Sequence, residues 1–182
     1  MAADFASLVS LACHDLRTPL ATVQGFAKTL LRVDELDREK TARYLGLIDA
    51  ASAELVELLD LVSLAARIEG GRYNPVVRGV DSLELVPEGA SGKGATVNVD
   101  PEAVARALGS LARAAARHGA VEVSVSVHGT RVSIEPVVPG AAPVVLGEEQ
   151  KDLGAAVAVR VLHALGAELE LAGERLTVTL PV

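Results

Sequence analysis

His14-Asp15-Leu16-Arg17-Thr18-Pro19-Leu20 lies near the start of a run in which Leu8, Leu11, Leu16, Leu20, Val23, Ala27 and Leu30 recur mostly at three- and four-residue steps. That spacing predicts a long helix with an apolar stripe. The stretch puts a histidine beside an acid, an arginine and a helix-interior proline. Imidazole is nucleophilic near neutral pH, and the N–P bond it forms is labile enough to pass a phosphoryl group onward. His14 is therefore a candidate phosphoryl carrier. Asp15 can hold the proton of one ring nitrogen and leave the other as the nucleophile. Arg17 can neutralise phosphoryl oxygens or shape a helix interface. Thr18, one turn beyond His14 on the same face, can position an attacking water. Pro19 costs roughly 3 kcal/mol inside a helix, because it lacks a donor and clashes with the preceding turn. The carbonyl it leaves free is that of Asp15, beside the histidine; a bend that served packing alone would read the same way.

After this helix, Asp34-Glu35-Leu36-Asp37 interrupts the pattern, and Asp37 has the chemistry of an N-cap. The next run carries Tyr44, Leu47, Ile48, Ala51, Leu55, Leu58, Leu59 and Val62 and stops at Gly70-Gly71. Residues 4–69 thus read as a hairpin of two long helices. Leu45, Leu47, Leu55 and Leu58 spread over too wide an arc for one partner helix. Pairing two hairpins into a four-helix bundle covers them and predicts a homodimer; packing on the rest of the same chain is the other solution.

The remainder, about 76–182, alternates strand-like and helix-like runs. Thr96–Val99 is strand-like, Asp100-Pro101 is an N-cap followed by proline, and an alanine-rich helix runs from Ala103 to about Arg117. Residues 121–127 alternate as a half-buried strand, and His128-Gly129 turns the chain into Arg131–Glu135. A loose loop is expected from Pro136 to Gln150. Asp152 then caps a helix to about Leu165, and two strands, Glu168–Leu171 and Arg175–Leu180, close the chain. The expected architecture is α+β: a helical hairpin over residues 1–71, then an α/β sandwich over 76–182 with helices on one face of a mixed sheet. Ala90-Ser91-Gly92-Lys93-Gly94 reads as a flexible loop, too loosely spaced to cradle phosphates.

Composition narrows the partners. Half of the 182 residues are hydrophobic, but only two Phe, two Tyr and no Trp are present. The core must be Leu, Val and Ala. A net charge of −7 with so few aromatic residues disfavours nucleic acid and anionic membrane surfaces. No apolar run is long enough for a membrane span. Met1-Ala2-Ala3-Asp4 lacks the basic region of a signal peptide, so a cytoplasmic protein is expected. Cys13, the single cysteine, is expected to be a small buried packing residue. His118 is expected to cap a helix; His128 and His163 are expected to be structural or solvent-facing.

His14-Asp15-Leu16-Arg17-Thr18-Pro19-Leu20 resembles the H-box of bacterial sensor histidine kinases. The resemblance implies phosphorylation of His14, general-base action by Asp15 and support of phosphatase action by Thr18, on a hairpin that dimerises into a four-helix bundle. It also implies that the second half is a kinase-type ATP-binding sandwich. There the residues depart from the family. The segment 107–118 resembles the helix whose asparagine holds magnesium, but the matching positions are Ala114 and Ser110. Pro136 stands where the family has an adenine-binding aspartate, with Glu135 one residue away. The glycine-rich box is reduced to Asp152-Leu153-Gly154-Ala155-Ala156. Three nucleotide-binding elements fail together, a pattern similar to the histidine phosphotransferases of bacterial phosphorelays.

The expected function is relay of a phosphoryl group between receiver-domain aspartates through His14, without a bound cofactor and with magnesium carried by the receiver. The alternatives are an ATP-dependent sensor kinase core with an atypical nucleotide site, and a non-catalytic scaffold that binds receivers.

Overall fold

The computed structural model describes residues 5–32 and 37–182. The expectations for Met1–Asp4 and for Asp34, Glu35 and Leu36 lie outside them. Helices α1 (Phe5–Arg32) and α2 (Arg38–Glu69) pack against each other as the hairpin. Asp37 caps α2, accepting the Lys40 backbone N–H at 2.7 Å. Gly70 ends it, with its own N–H donated to the Ala66 carbonyl. Phe26 of α1 meets Tyr44 of α2 with ring centroids 5.2 Å apart, an aromatic contact that holds the two helices in register.

The second half opens with β1 (Arg78–Asp81), a 3-10 turn (Ser82–Leu85), β2 (Ser91–Gly94) and β3 (Thr96–Val99). Helix α3 (Pro101–Gly119) follows, then β4 (Ser124–Gly129) and β5 (Arg131–Glu135). A short α4 (Ala142–Val145), α5 (Leu153–Ala164), β6 (Glu168–Ala172) and β7 (Arg175–Thr179) complete it. β2, β4, β5, β7 and β6 form one mixed sheet in that order, with β2 parallel to β4 and the other pairs antiparallel. β1 and β3 pair separately. Val127, Val132, Ile134, Leu176 and Val178 alternate onto the buried face, where α3 and α5 cover them.

Three expectations need correction. Residues 91–94 are not a loop but the edge strand β2, and Gly92 is required there. Its φ is +122°, and a Cβ would collide with the Val127 carbonyl oxygen. Strand β4 starts at Ser124 rather than at 121. The segment 136–150 is not loose, because Val137, Ala141, Val144 and Val145 are buried in the core and α4 lies within it.

Hairpin and sandwich share one contiguous core. Leu8, Ala12 and Ala65 of the hairpin are buried in the same cluster as Leu108, Leu111, Leu153 and Leu162 of the sandwich. Both hairpin helices pack on α5. An ion pair crosses the seam: Arg160 Nε, on the buried face of α5, donates to Glu69 Oε1 at 3.1 Å. The hairpin therefore uses its own chain to cover part of the wide apolar arc. Leu20, Leu45, Val56 and Leu59 remain exposed.

Candidate functional site

His14 stands on the open side of α1, its side chain 78% exposed. Helical geometry explains this. Leu8 and Ala12 turn into the sandwich, and His14 lies well around the helix from Leu8. The exposure brings a nucleophile within reach of another protein. Asp15 Oδ1 lies 3.1 Å from His14 Nδ1. In the tautomer whose Nδ1–H donates to that carboxylate, Nε2 carries the lone pair and faces outward for attack.

Thr18 is exposed one turn further on, and Arg17 is exposed beside it. An open groove of about 640 Å³ continues from them down α1, floored by Ala21, Thr22, Gly25 and Phe26. Pro19 is buried, and α1 runs through it without a break. Cys13 corrects an expectation: it is exposed, because it lies around α1 from Leu8 and Ala12, which point inward.

On its other side the H-box opens into a second cleft, of about 400 Å³, between hairpin and sandwich. Asp15, Thr18, Glu54 and Glu57 line the hairpin wall; Ser110, Arg113, Arg117, His118, Lys151 and Asp152 line the facing wall. Arg113 and Arg117 carry no local sequence signal of a place at this cleft. Their placement on the cleft depends on how α3 docks, which no local pattern encodes. Ala114 and Pro136 do not line this cleft, and Ala114 is fully buried in the core.

Asp152 dominates the sandwich wall. It is 8% exposed and caps α5, its Oδ1 accepting the Ala155 N–H at 3.0 Å. Arg117 Nη1 donates to its Oδ2 at 3.2 Å, and His118 Nε2 lies 3.4 Å from the same oxygen. His118 thus sits in the last turn of α3, as a cap-like residue would, but faces an acid on α5. An acid sits at the α5 N-terminus, where phosphate oxygens would need donors. The conformation of Glu135 gives no substitute for an adenine acceptor in the cleft; its carboxylate pairs with Arg175 at 2.7 Å instead.

The site is an exposed histidine with an acid beside its ring nitrogen, carried on a two-helix hairpin beside an α/β sandwich. Residues 6–71 of the 182, which make up the hairpin, match the His Kinase A (phospho-acceptor) domain. The chain is 32% identical over 84 residues, 46% of its length, to the probable sensor histidine kinase TcrY of Mycobacterium tuberculosis, and spans 17% of that relative's length. The solved histidine kinase AdeS of Acinetobacter baumannii shares the fold, with a TM-score of 0.64 at 17% identity, covering 92% of this chain and 97% of that one. No helix among the described residues is long and apolar enough to cross a membrane.

Proposed function

We propose that the protein is a histidine phosphotransferase that relays a phosphoryl group between receiver-domain aspartates. The observation that carries this reading is the pairing of an exposed His14, held by Asp15 at 3.1 Å, with a sandwich whose cleft presents Asp152 to any phosphate. Nε2 of His14 attacks the phosphorus of a receiver's acyl phosphate in line. The N–P bond forms as the P–O bond to the aspartate breaks, and the carboxylate leaves. Asp15 stabilises the ring as it becomes cationic. Thr18 positions water for hydrolysis, and Arg17 offers a charge-assisted donor to phosphoryl oxygens. The groove floored by Ala21, Thr22, Gly25 and Phe26 admits a partner helix close to the α1 backbone. Magnesium comes with the receiver, so the relay needs no nucleotide. A second copy of the hairpin covers Leu20, Leu45, Val56 and Leu59, completing a four-helix bundle.

The test is incubation with a receiver labelled on its aspartate. Label reaches wild-type His14 and does not reach His14→Ala. Asp15→Asn slows transfer by about 10²- to 10⁴-fold. A His14→Ala variant that still takes label, or that relays like the wild type, defeats the proposal. The open cleft beside Asp15 and Thr18 favours one other reading, an ATP-dependent kinase core. Calorimetric binding of magnesium-ATP at micromolar affinity would select it.

A further inference from the structure

We infer that Asp152 is the residue that keeps phosphate-bearing ligands out of the cleft between hairpin and sandwich, by filling the anion position with its own carboxylate. The inference rests on the phosphotransferase reading and assigns its lack of nucleotide use to one side chain. Three cationic or donor groups converge on that carboxylate from two helices. The Ala155 N–H at the α5 N-terminus donates at 3.0 Å, Arg117 Nη1 donates at 3.2 Å, and His118 Nε2 lies at 3.4 Å. His118 Nε2 is buried and completes no well-aligned hydrogen bond, so its polar capacity is directed at this anion without being spent elsewhere. A helix N-terminus with an arginine and a histidine is the donor set that a phosphate oxygen requires. Here a covalently tethered anion holds it.

Space agrees with charge. A Cβ placed on Gly154 would lie 3.2 Å from Asp152 Oδ1 and 3.6 Å from Ser110 Oγ, so carboxylate and hydroxyl already occupy the approach to the helix end. Arg113, the next cation along the wall, is turned onto Ser110 Oγ at 3.2 Å. A polyanion entering the cleft meets a buried negative charge at the α5 N-terminus, with Glu54 and Glu57 across the gap.

Asp152→Asn separates charge from capping, because asparagine caps a helix as well as aspartate does. The probe is inorganic tripolyphosphate, which carries the charge of a nucleotide tail and no base, followed by calorimetry on the full chain. The expected result is that Asp152→Asn binds tripolyphosphate at least about tenfold more tightly than the wild type. Adding Arg117→Ala removes the gain, which places it at this site. A folded Asp152→Asn variant, verified by circular dichroism, that binds no better than the wild type overturns the inference. So does a gain that survives Arg117→Ala. Magnesium-ATP binding by the wild type is the separate result that defeats the phosphotransferase reading; a wild type that ignores ATP beside an unchanged Asp152→Asn defeats this inference alone.

Discussion

Leu8→Ala tests whether hairpin and sandwich are one structural unit. Leu8 is fully buried although it belongs to the exposed-histidine helix, and its neighbours in the core include sandwich residues. The substitution removes three carbons. At about 0.8 kcal/mol per buried methylene this is about 2.4 kcal/mol, and the cavity left behind raises the loss to about 3–4 kcal/mol. For a chain of this size that lowers the melting temperature by about 10 °C. The assay is urea and thermal unfolding followed by far-UV circular dichroism and by tyrosine fluorescence, at fixed protein concentration because a dimer would couple stability to concentration. Tyr44 lies on the hairpin and Tyr73 just beyond it, so coincident transitions by the two probes indicate joint unfolding. Leu31→Ala, at a position 84% exposed on the same helix, is the control and costs less than about 1 kcal/mol. A Leu8→Ala loss below about 1 kcal/mol would refute the shared core, since an undocked α1 leaves Leu8 in water.

Pro19→Ala should raise stability by about 2 kcal/mol, because alanine restores the backbone donor, while slowing transfer to His14; unchanged transfer would make the proline a packing residue only. Leu59→Lys, at a position 55% exposed on α2, should leave the fold intact and shift sedimentation from dimer to monomer, whereas a variant that sediments like the wild type removes Leu59 from the dimer face. The Asp37 carboxyl is held below its ordinary value of 3.8, chiefly by the Lys40 backbone N–H. A depressed folded value means that its support for the α2 N-terminus is complete above that pH and fades as pH falls through the lower folded value. The protection factor of the Lys40 amide, corrected for the intrinsic pH dependence of exchange, should therefore fall in acid, and Asp37→Asn should remove that fall.

The helices were legible because their signals are local. Apolar steps of three and four, Asp37 and Asp152 as caps, and Gly70 as a stop act within one or two turns, and each was found where its chemistry predicts. The same holds for Asp15 against His14, since adjacent residues on a helix need no tertiary information to meet. What local pattern reads least well is pairing between distant segments. Ser91-Gly92-Lys93-Gly94 has the composition of a loop, and only the close approach of β4 makes it a strand, with glycine tolerating both the positive φ and the Val127 carbonyl. Residues 136–150 likewise look irregular until the core claims Val144 and Val145. The order of residues determined on its own a histidine beside an acid on a helical hairpin. Only the tertiary structure decided that Leu8 and Ala12 turn into the sandwich, that Cys13 faces outward, and that Arg117 and His118 close on Asp152, because helix docking chooses which face of each helix meets another and a one-dimensional pattern does not.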